Sequence, residues 1–151
     1  MQTTENNCNV LATKEVVSDL YKNVTMNVHS IKVLVPLVYN EEMKAMLNKQ
    51  LQTYQDYTNQ VEKLCQTLNF APTPAPKAVI LMAEMGLKSK MIANKSTTHV
   101  AKIMLQGTLN GIIDLYRLLN HKADVHPDVV LLAKQVLRYE EGCLENVKAF
   151  L

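Results

Sequence analysis

Hydrophobic positions recur with helical periodicity in four long segments of the chain. The first two segments cover residues 9–38 and 41–69, and the last two cover residues 97–120 and 127–151. Within each segment the apolar residues are spaced three and four positions apart, which is typical of a helix with one face in a core. The pattern therefore predicts four long amphipathic helices.

The lengths of the connections predict how these helices are arranged. The first and last connections are short, whereas residues 70–96 form a long crossover that contains Pro72, Pro74 and Pro76. Short connections place consecutive helices antiparallel, and a long crossover allows the second and third helices to run parallel. The sequence thus predicts an all-α protein, an up-down-down-up four-helix bundle with ferritin-like topology.

Composition and charge indicate one ordinary globular domain that covers residues 1–151. The chain has 48% hydrophobic residues and a net charge of +2, so it lacks the strongly basic character of nucleic-acid-binding proteins. Cys8, Cys65 and Cys143 are odd in number and widely spaced, which favours reduced thiols over a disulfide framework. Because the first residues also lack the pattern of a secretory signal, we expect a cytoplasmic protein.

Glu140 is the first candidate for chemistry, because its spacing from Val136 and Cys143 places a carboxyl group on the apolar face of the last helix. A buried carboxylate needs a partner, a proton or a metal. The alternative is that Glu140 borders this face and reaches solvent. If the helices are in register, a polar layer crosses the bundle, with these candidates: Glu140, Asn110, Gln106, Asn27 or Asn23, and Tyr54.

The sequence lacks the usual metal-binding motif of ferritin-like bundles, in which two helices each supply a Glu and two supply Glu-x-x-His. No Glu-x-x-His occurs, and the nearest patterns are Glu62-x-x-Cys65 and Glu140-x-x-Cys143. We therefore expect no catalytic residues and no cofactor. Iron or manganese at an atypical site is the alternative, which would make the chain a di-metal carboxylate oxidase or an iron-handling protein.

Gly107 and Gly111 lie one helical turn apart in the third segment, where each glycine costs about 1 kcal/mol relative to alanine. The main interpretation is close packing against another helix of the bundle. A dimer contact or a small ligand cavity is the alternative.

The crossover is basic and rich in methionine. Residues 78–82 and Met85 predict an apolar turn or short helix that ends at Gly86, and residues 77–102 contain five lysines against one acid, Glu84. Such a segment can bind a membrane surface or a groove of a partner, or can cover its own bundle. The candidate partner surface consists of Met82, Met85, Lys88 and Lys90.

Four segments resemble small, uncharacterised bacterial proteins of the ferritin-like superfamily. They are Cys8-Asn-Val-Leu-Ala12, Asp19-Leu-Tyr-Lys-Asn-Val-Thr25, Thr98-His-Val-Ala-Lys-Ile-Met-Leu-Gln-Gly107 and Arg138-Tyr-Glu-Glu141. The resemblance implies the four-helix fold and a homodimer, but no activity.

These observations favour a structural or binding module without a functional di-metal centre. A module that binds a partner or a membrane surface through the basic crossover is a further alternative. We expect a homodimer, because apolar residues beside the main faces exceed what one core needs. These residues are Leu20, Leu34, Leu109 and Ile112.

Overall fold

The structure, a computed structural model, describes residues 9–121 and 124–151. The described residues are all-helical and contain no strand. There are five α-helices, with a short 3-10 turn at Val35–Leu37 after the first: α1 (Val10–Leu34), α2 (Glu41–Thr67), α3 (Lys77–Ala93), α4 (Thr97–Asn120) and α5 (Pro127–Lys148).

Polar side chains determine where three of the helices begin. Asn9 Oδ1 accepts a hydrogen bond from the backbone of α1 at 3.1 Å, and Asn40 Oδ1 does the same for α2 at 2.9 Å. Ser96 Oγ caps α4 at 3.2 Å. Thr13 lies in the first turns of α1, and its Oγ1 accepts a hydrogen bond from His126 N at the start of α5.

Contacts between the helices show in which direction each helix runs. The start of α1 lies beside the start of α5, and further along both helices Asn27 Nδ2 donates to Glu140 Oε1, so α1 and α5 are parallel. Ser18 Oγ accepts from Thr73 N, and His29 lies 3.5 Å from Glu84, so α3 also runs parallel to α1. Since α2 reverses direction after α1, and α4 reverses after α3, each helix is antiparallel to the one before it.

The sequence predicts a short apolar turn or helix in the crossover that ends at Gly86. This prediction of its length is wrong, because α3 continues through Gly86 to Ala93. A single glycine costs about 1 kcal/mol inside a helix, which is not enough to end one that is packed against a neighbour. α3 packs on α1, and its one fully buried residue is Met91.

The core draws side chains from all five helices. Leu20 and Leu34 are 0% and 4% exposed, and Ile112 is 8% exposed, so three of the four residues expected to form a dimer surface belong to the core of the chain itself. Of the four, only Leu109 reaches the surface, at 36% exposure. The expectation that these three residues form a dimer surface is wrong because α3 is a fifth helix. Five packed helices bury a wider face of α1 than four do.

Cys65 and Cys143 are free and buried, whereas Cys8 lies outside the described residues. Buried free cysteines of this kind pack as small apolar side chains.

None of the described helices combines the length and the apolar composition needed to cross a membrane.

We predict that Leu20→Ala lowers the free energy of unfolding by about 2–5 kcal/mol, because it leaves a cavity in the core. Leu109→Ala, the matched change at the surface of α4, should cost about 1 kcal/mol or less. Urea denaturation of both variants measures the difference, and equal losses would contradict the assignment of Leu20 to the core.

Candidate functional site: a buried carboxyl group beside an open groove

Glu140 of α5 carries a carboxyl group in the interior of the protein, and the residue is 1% exposed. Its Oε1 accepts a hydrogen bond from Asn27 Nδ2 of α1 at 3.1 Å. Tyr54 of α2, also 1% exposed, lies close enough to stabilise the carboxylate. The predicted grouping of these three residues is therefore present, and Glu140 does not border the apolar face and turn to solvent.

Gly111 of α4 allows Glu140 to occupy this position. A Cβ atom at Gly111 would lie 2.7 Å from Glu140 Oε2, which is closer than such atoms approach in proteins. On the same side, Asn23 Nδ2 donates to the carbonyl oxygen of Gly111 at 3.4 Å. The absence of a side chain at Gly111 thus allows α4 to approach α1 and α5 around the carboxyl group.

Burial raises the pKa of Glu140 to about 8, because the charged form loses its hydration. The amides of Asn23 and Asn27 and the hydroxyl of Tyr54 oppose this shift, since donors stabilise a carboxylate. Oε2 has no hydrogen-bond partner among the residues that the structure describes. Glu140 is therefore mostly protonated at neutral pH.

Aromatic rings and a thiol surround the carboxyl group on the side of α2 and α5. The rings of Tyr54 and Tyr139 meet edge to face with centroids 5.4 Å apart, and Tyr57 lies 5.7 Å from Tyr139. Burial raises the pKa of the Cys143 thiol to about 11, so the thiolate that a nucleophile requires is scarce at neutral pH. The cluster holds neutral groups and offers no activated nucleophile.

Gln106 and Asn110 do not belong to this cluster, which corrects the predicted polar layer. Both are exposed on α4, and Gln106 Nε2 donates to Asn110 Oδ1 at 3.1 Å. Gly111, not Asn110, faces Glu140. Adjacent residues of a helix point about 100° apart, so Asn110 has the right height in the bundle and the wrong direction.

The metal-ligand chemistry of a di-metal centre does not fit these residues. Glu62 accepts a hydrogen bond from Tyr21 at 3.1 Å and is apart from Glu140. His29 pairs with Glu84, and His99 contacts a backbone carbonyl group of α3. Within residues 9–121 and 124–151, no three His, Cys, Asp or Glu side chains are grouped as a metal ion would require.

An open groove of about 770 Å³ lies between α3 and α4, with α1 as its floor. α3 packs against α1, and the space between α3 and α4 is left unfilled. Asn23, Asn27 and Gly111 line the middle of the groove, so the Glu140 carboxyl group lies directly beneath it. One end is apolar, with these side chains: Ile31, Leu34, Leu47, Leu87, Ile103 and Met104.

Gln50 of α2 lines the groove and carries an unused donor. The residue is 7% exposed, and its Nε2 has no hydrogen-bond partner in the part of the chain that the structure describes. The sequence signal for this residue is its position three residues after Leu47 and four before Tyr54, on the apolar face of α2. Gln50 is not among the site residues that the sequence predicts.

Two glycines form part of the groove walls, Gly86 on α3 and Gly107 on α4. A Cβ atom at either position would have no neighbour within 4 Å. The expectation of close helix packing therefore holds at Gly111 and is wrong at Gly107, which borders the open groove.

Two ion pairs stand at the other end of the groove. Lys22 lies 3.7 Å from Asp19, and Arg117 lies 3.6 Å from Asp114. Because each cation has an acidic neighbour one helical turn away, this end has little net charge and does not by itself favour an ionic ligand.

No protein-family model matches this chain, and comparisons with curated proteins and with solved structures give no match. The resemblance to bacterial ferritin-like proteins therefore stays a prediction.

We predict that the stability of the protein falls as pH rises from about 4.5 to about 8. Over this range the folded chain keeps the Glu140 proton, whereas the unfolded chain, with an ordinary pKa of 4.5, has released it. One retained proton lowers the free energy of unfolding by up to about 1.4 kcal/mol per pH unit. In Glu140→Gln this contribution should vanish, so the difference between variant and wild type should grow with pH; parallel pH profiles would contradict the prediction.

We also predict opposite effects of alanine at the two glycines of α4. Gly107→Ala should stabilise the protein by up to about 1 kcal/mol, because it improves helix propensity in open space. Gly111→Ala should destabilise it, because the new methyl group displaces the Glu140 carboxyl group. Thermal unfolding of both variants measures the signs, and in a Glu140→Ala background Gly111→Ala should lose most of its cost.

Proposed function

We propose that the chain is a non-catalytic binding module whose ligand is a small molecule held in the groove between α1, α3 and α4. We propose also that α1, α2, α4 and α5 form a ferritin-like bundle without a di-metal centre, with α3 packed along its side. The observation that carries the function is the buried Gln50 amide: the residue lines the open groove, and its Nε2 has no hydrogen-bond partner among the described residues. An unpaired buried donor is costly, and a ligand that accepts its hydrogen bond would remove that cost.

The dimensions of the groove suit a small organic ligand. The groove follows α1 from Asp19 to Leu34, a rise of roughly 22 Å at 1.5 Å per residue. Its volume of about 770 Å³ lies within the roughly 300–1,000 Å³ that is usual for small-molecule sites.

The lining defines what such a molecule must offer. Apolar side chains at one end require an apolar body, and Gln50 Nε2 requires one hydrogen-bond acceptor, such as a carbonyl oxygen, close to them. The Glu140 carboxyl group lies behind Asn27 and Gly111 and is mostly protonated, so it supports the shape of the groove rather than a reaction. These features support binding without turnover.

The location and the assembly of the module remain proposals. Free, buried Cys65 and Cys143 suit a reducing cytoplasm. For a homodimer, the support left at the surface is an apolar face of α4, where Leu109, Ile113 and Tyr116 are 36%, 47% and 48% exposed.

The groove proposal predicts selective loss of binding in Gly107→Leu. A leucine at this position fills open space in the groove, whereas Gly142→Leu makes the same change in open space on α5, outside the groove. The probe is Prodan, a small naphthalene ketone with an apolar body and one carbonyl acceptor, and its fluorescence gives the dissociation constant. We expect Gly107→Leu to raise this constant at least about tenfold and Gly142→Leu to leave it unchanged.

Gln50→Leu tests the donor in the same titration. It should raise the dissociation constant for Prodan about fivefold, the value of roughly one hydrogen bond, while making the ligand-free protein more stable. Equal affinities for wild type and all three variants would overturn the proposal.

A further inference from the structure

Several large apolar side chains on the outer face of α3 are exposed to solvent, although the helix itself packs on α1. Leu81, Met85 and Ile92 are 57%, 59% and 78% exposed, and they recur at spacings of four and seven residues. Residues at such spacings share one side of a helix. Leu81, Met85 and Ile92 thus form an exposed strip on one side of α3, with Lys88 between Met85 and Ile92.

The charges beside this strip have one sign. Lys77, Lys88 and Lys95 are exposed along it. The one acid of the segment, Glu84, lies 3.5 Å from His29 of α1 and so faces the bundle. Apart from Glu84, whose side chain is 29% exposed, the charged side chains that α3 presents to solvent beside its apolar residues are lysines.

A cleft of about 390 Å³ opens at the C-terminal end of the strip. Lys32, Lys88 and Lys95 line it together with the following apolar side chains: Val33, Pro36, Leu37, Met91 and Ile92. Three cations around an apolar floor suit a group that carries negative charge on an apolar stem. Beside the cleft, Lys95 Nζ lies 5.7 Å from the centre of the Tyr39 ring, and Tyr39 is 72% exposed.

We propose that the outer face of α3 docks onto the surface of an anionic lipid bilayer, with a lipid headgroup phosphate in the cleft between Lys32, Lys88 and Lys95. Leu81, Met85 and Ile92 would then enter the boundary between headgroups and acyl chains, where amphipathic surface helices lie. The exposed Tyr39 suits the same depth, because tyrosine is enriched at membrane interfaces.

A bilayer fits this face better than a groove of a protein does. The inner side of α3 is held against α1 through Met91, so the helix cannot be enclosed by a partner and needs a broad, flat surface. Long lysine side chains can lie along apolar material and keep their charge at the headgroups. Each lysine near an anionic surface strengthens binding by about fivefold.

Co-sedimentation with vesicles tests the proposal. Wild type should bind vesicles of phosphatidylcholine and phosphatidylserine, should not bind phosphatidylcholine alone, and should release with added salt. Ile92→Glu should weaken binding at least about tenfold and Lys88→Glu at least about fivefold. Their matched controls, Leu131→Glu and Lys134→Glu, change exposed residues of α5 and should bind like wild type.

Three outcomes would overturn the proposal. The first is that wild type does not bind anionic vesicles, or that Ile92→Glu and Leu131→Glu lose binding equally. The second is that soluble glycerophosphoserine binds and displaces the protein from vesicles, which would assign the cleft to a free anion. The third is a wild-type dimer in sedimentation velocity that Ile92→Glu dissociates and that ignores vesicles, which would assign the face to a second copy of the chain.

Discussion

The packing of the four long helices depends on the burial of one carboxyl group. Glu140 comes from α5, accepts a hydrogen bond from Asn27 of α1, lies close to Tyr54 of α2 and presses against Gly111 of α4. Burial disfavours the ionised carboxylate, so the group mostly keeps its proton at neutral pH, and the hydrogen bond from Asn27 to Oε1 offsets part of the cost of burying it. All four helices must therefore meet at one level, which fixes their register in the way a buried asparagine does in a coiled coil.

The groove follows from the same constraint. Because Gly111 brings α4 close to α1 at the level of Glu140, the two helices are held together there, and α3 lies against α1 on the open side. Gly107, one turn earlier in α4, has no contact to make and leaves a space. The two glycines thus have opposite roles. Gly111 allows close contact between helices, whereas Gly107 leaves open space in the wall of the groove.

Much of this arrangement could be predicted from the sequence, and the failures have physical reasons. The four long helices were predictable because Asn40, Ser96 and Pro127 mark their starts and apolar residues recur at helical spacing. The length of α3 was not, because its apolar residues form a nearly continuous run, without the clear alternation of faces that reveals an amphipathic helix. The register of the helices predicts which residues lie at the same height as Glu140 along the bundle axis. Register does not predict in which direction a side chain points. The sequence therefore favoured Asn110, whereas the neighbouring Gly111 faces the carboxyl group.

The attachment of α3 at both ends has a mechanical consequence for the groove. Ahead of α3, the backbone of Thr73 is bonded to Ser18 of α1 in a segment stiffened by three prolines. At its other end, the His99 ring contacts the Lys90 carbonyl group across the short turn into α4. Contacts at both ends restrain α3 from moving away from the groove. A ligand of the proposed kind would therefore bind with little loss of entropy in the protein.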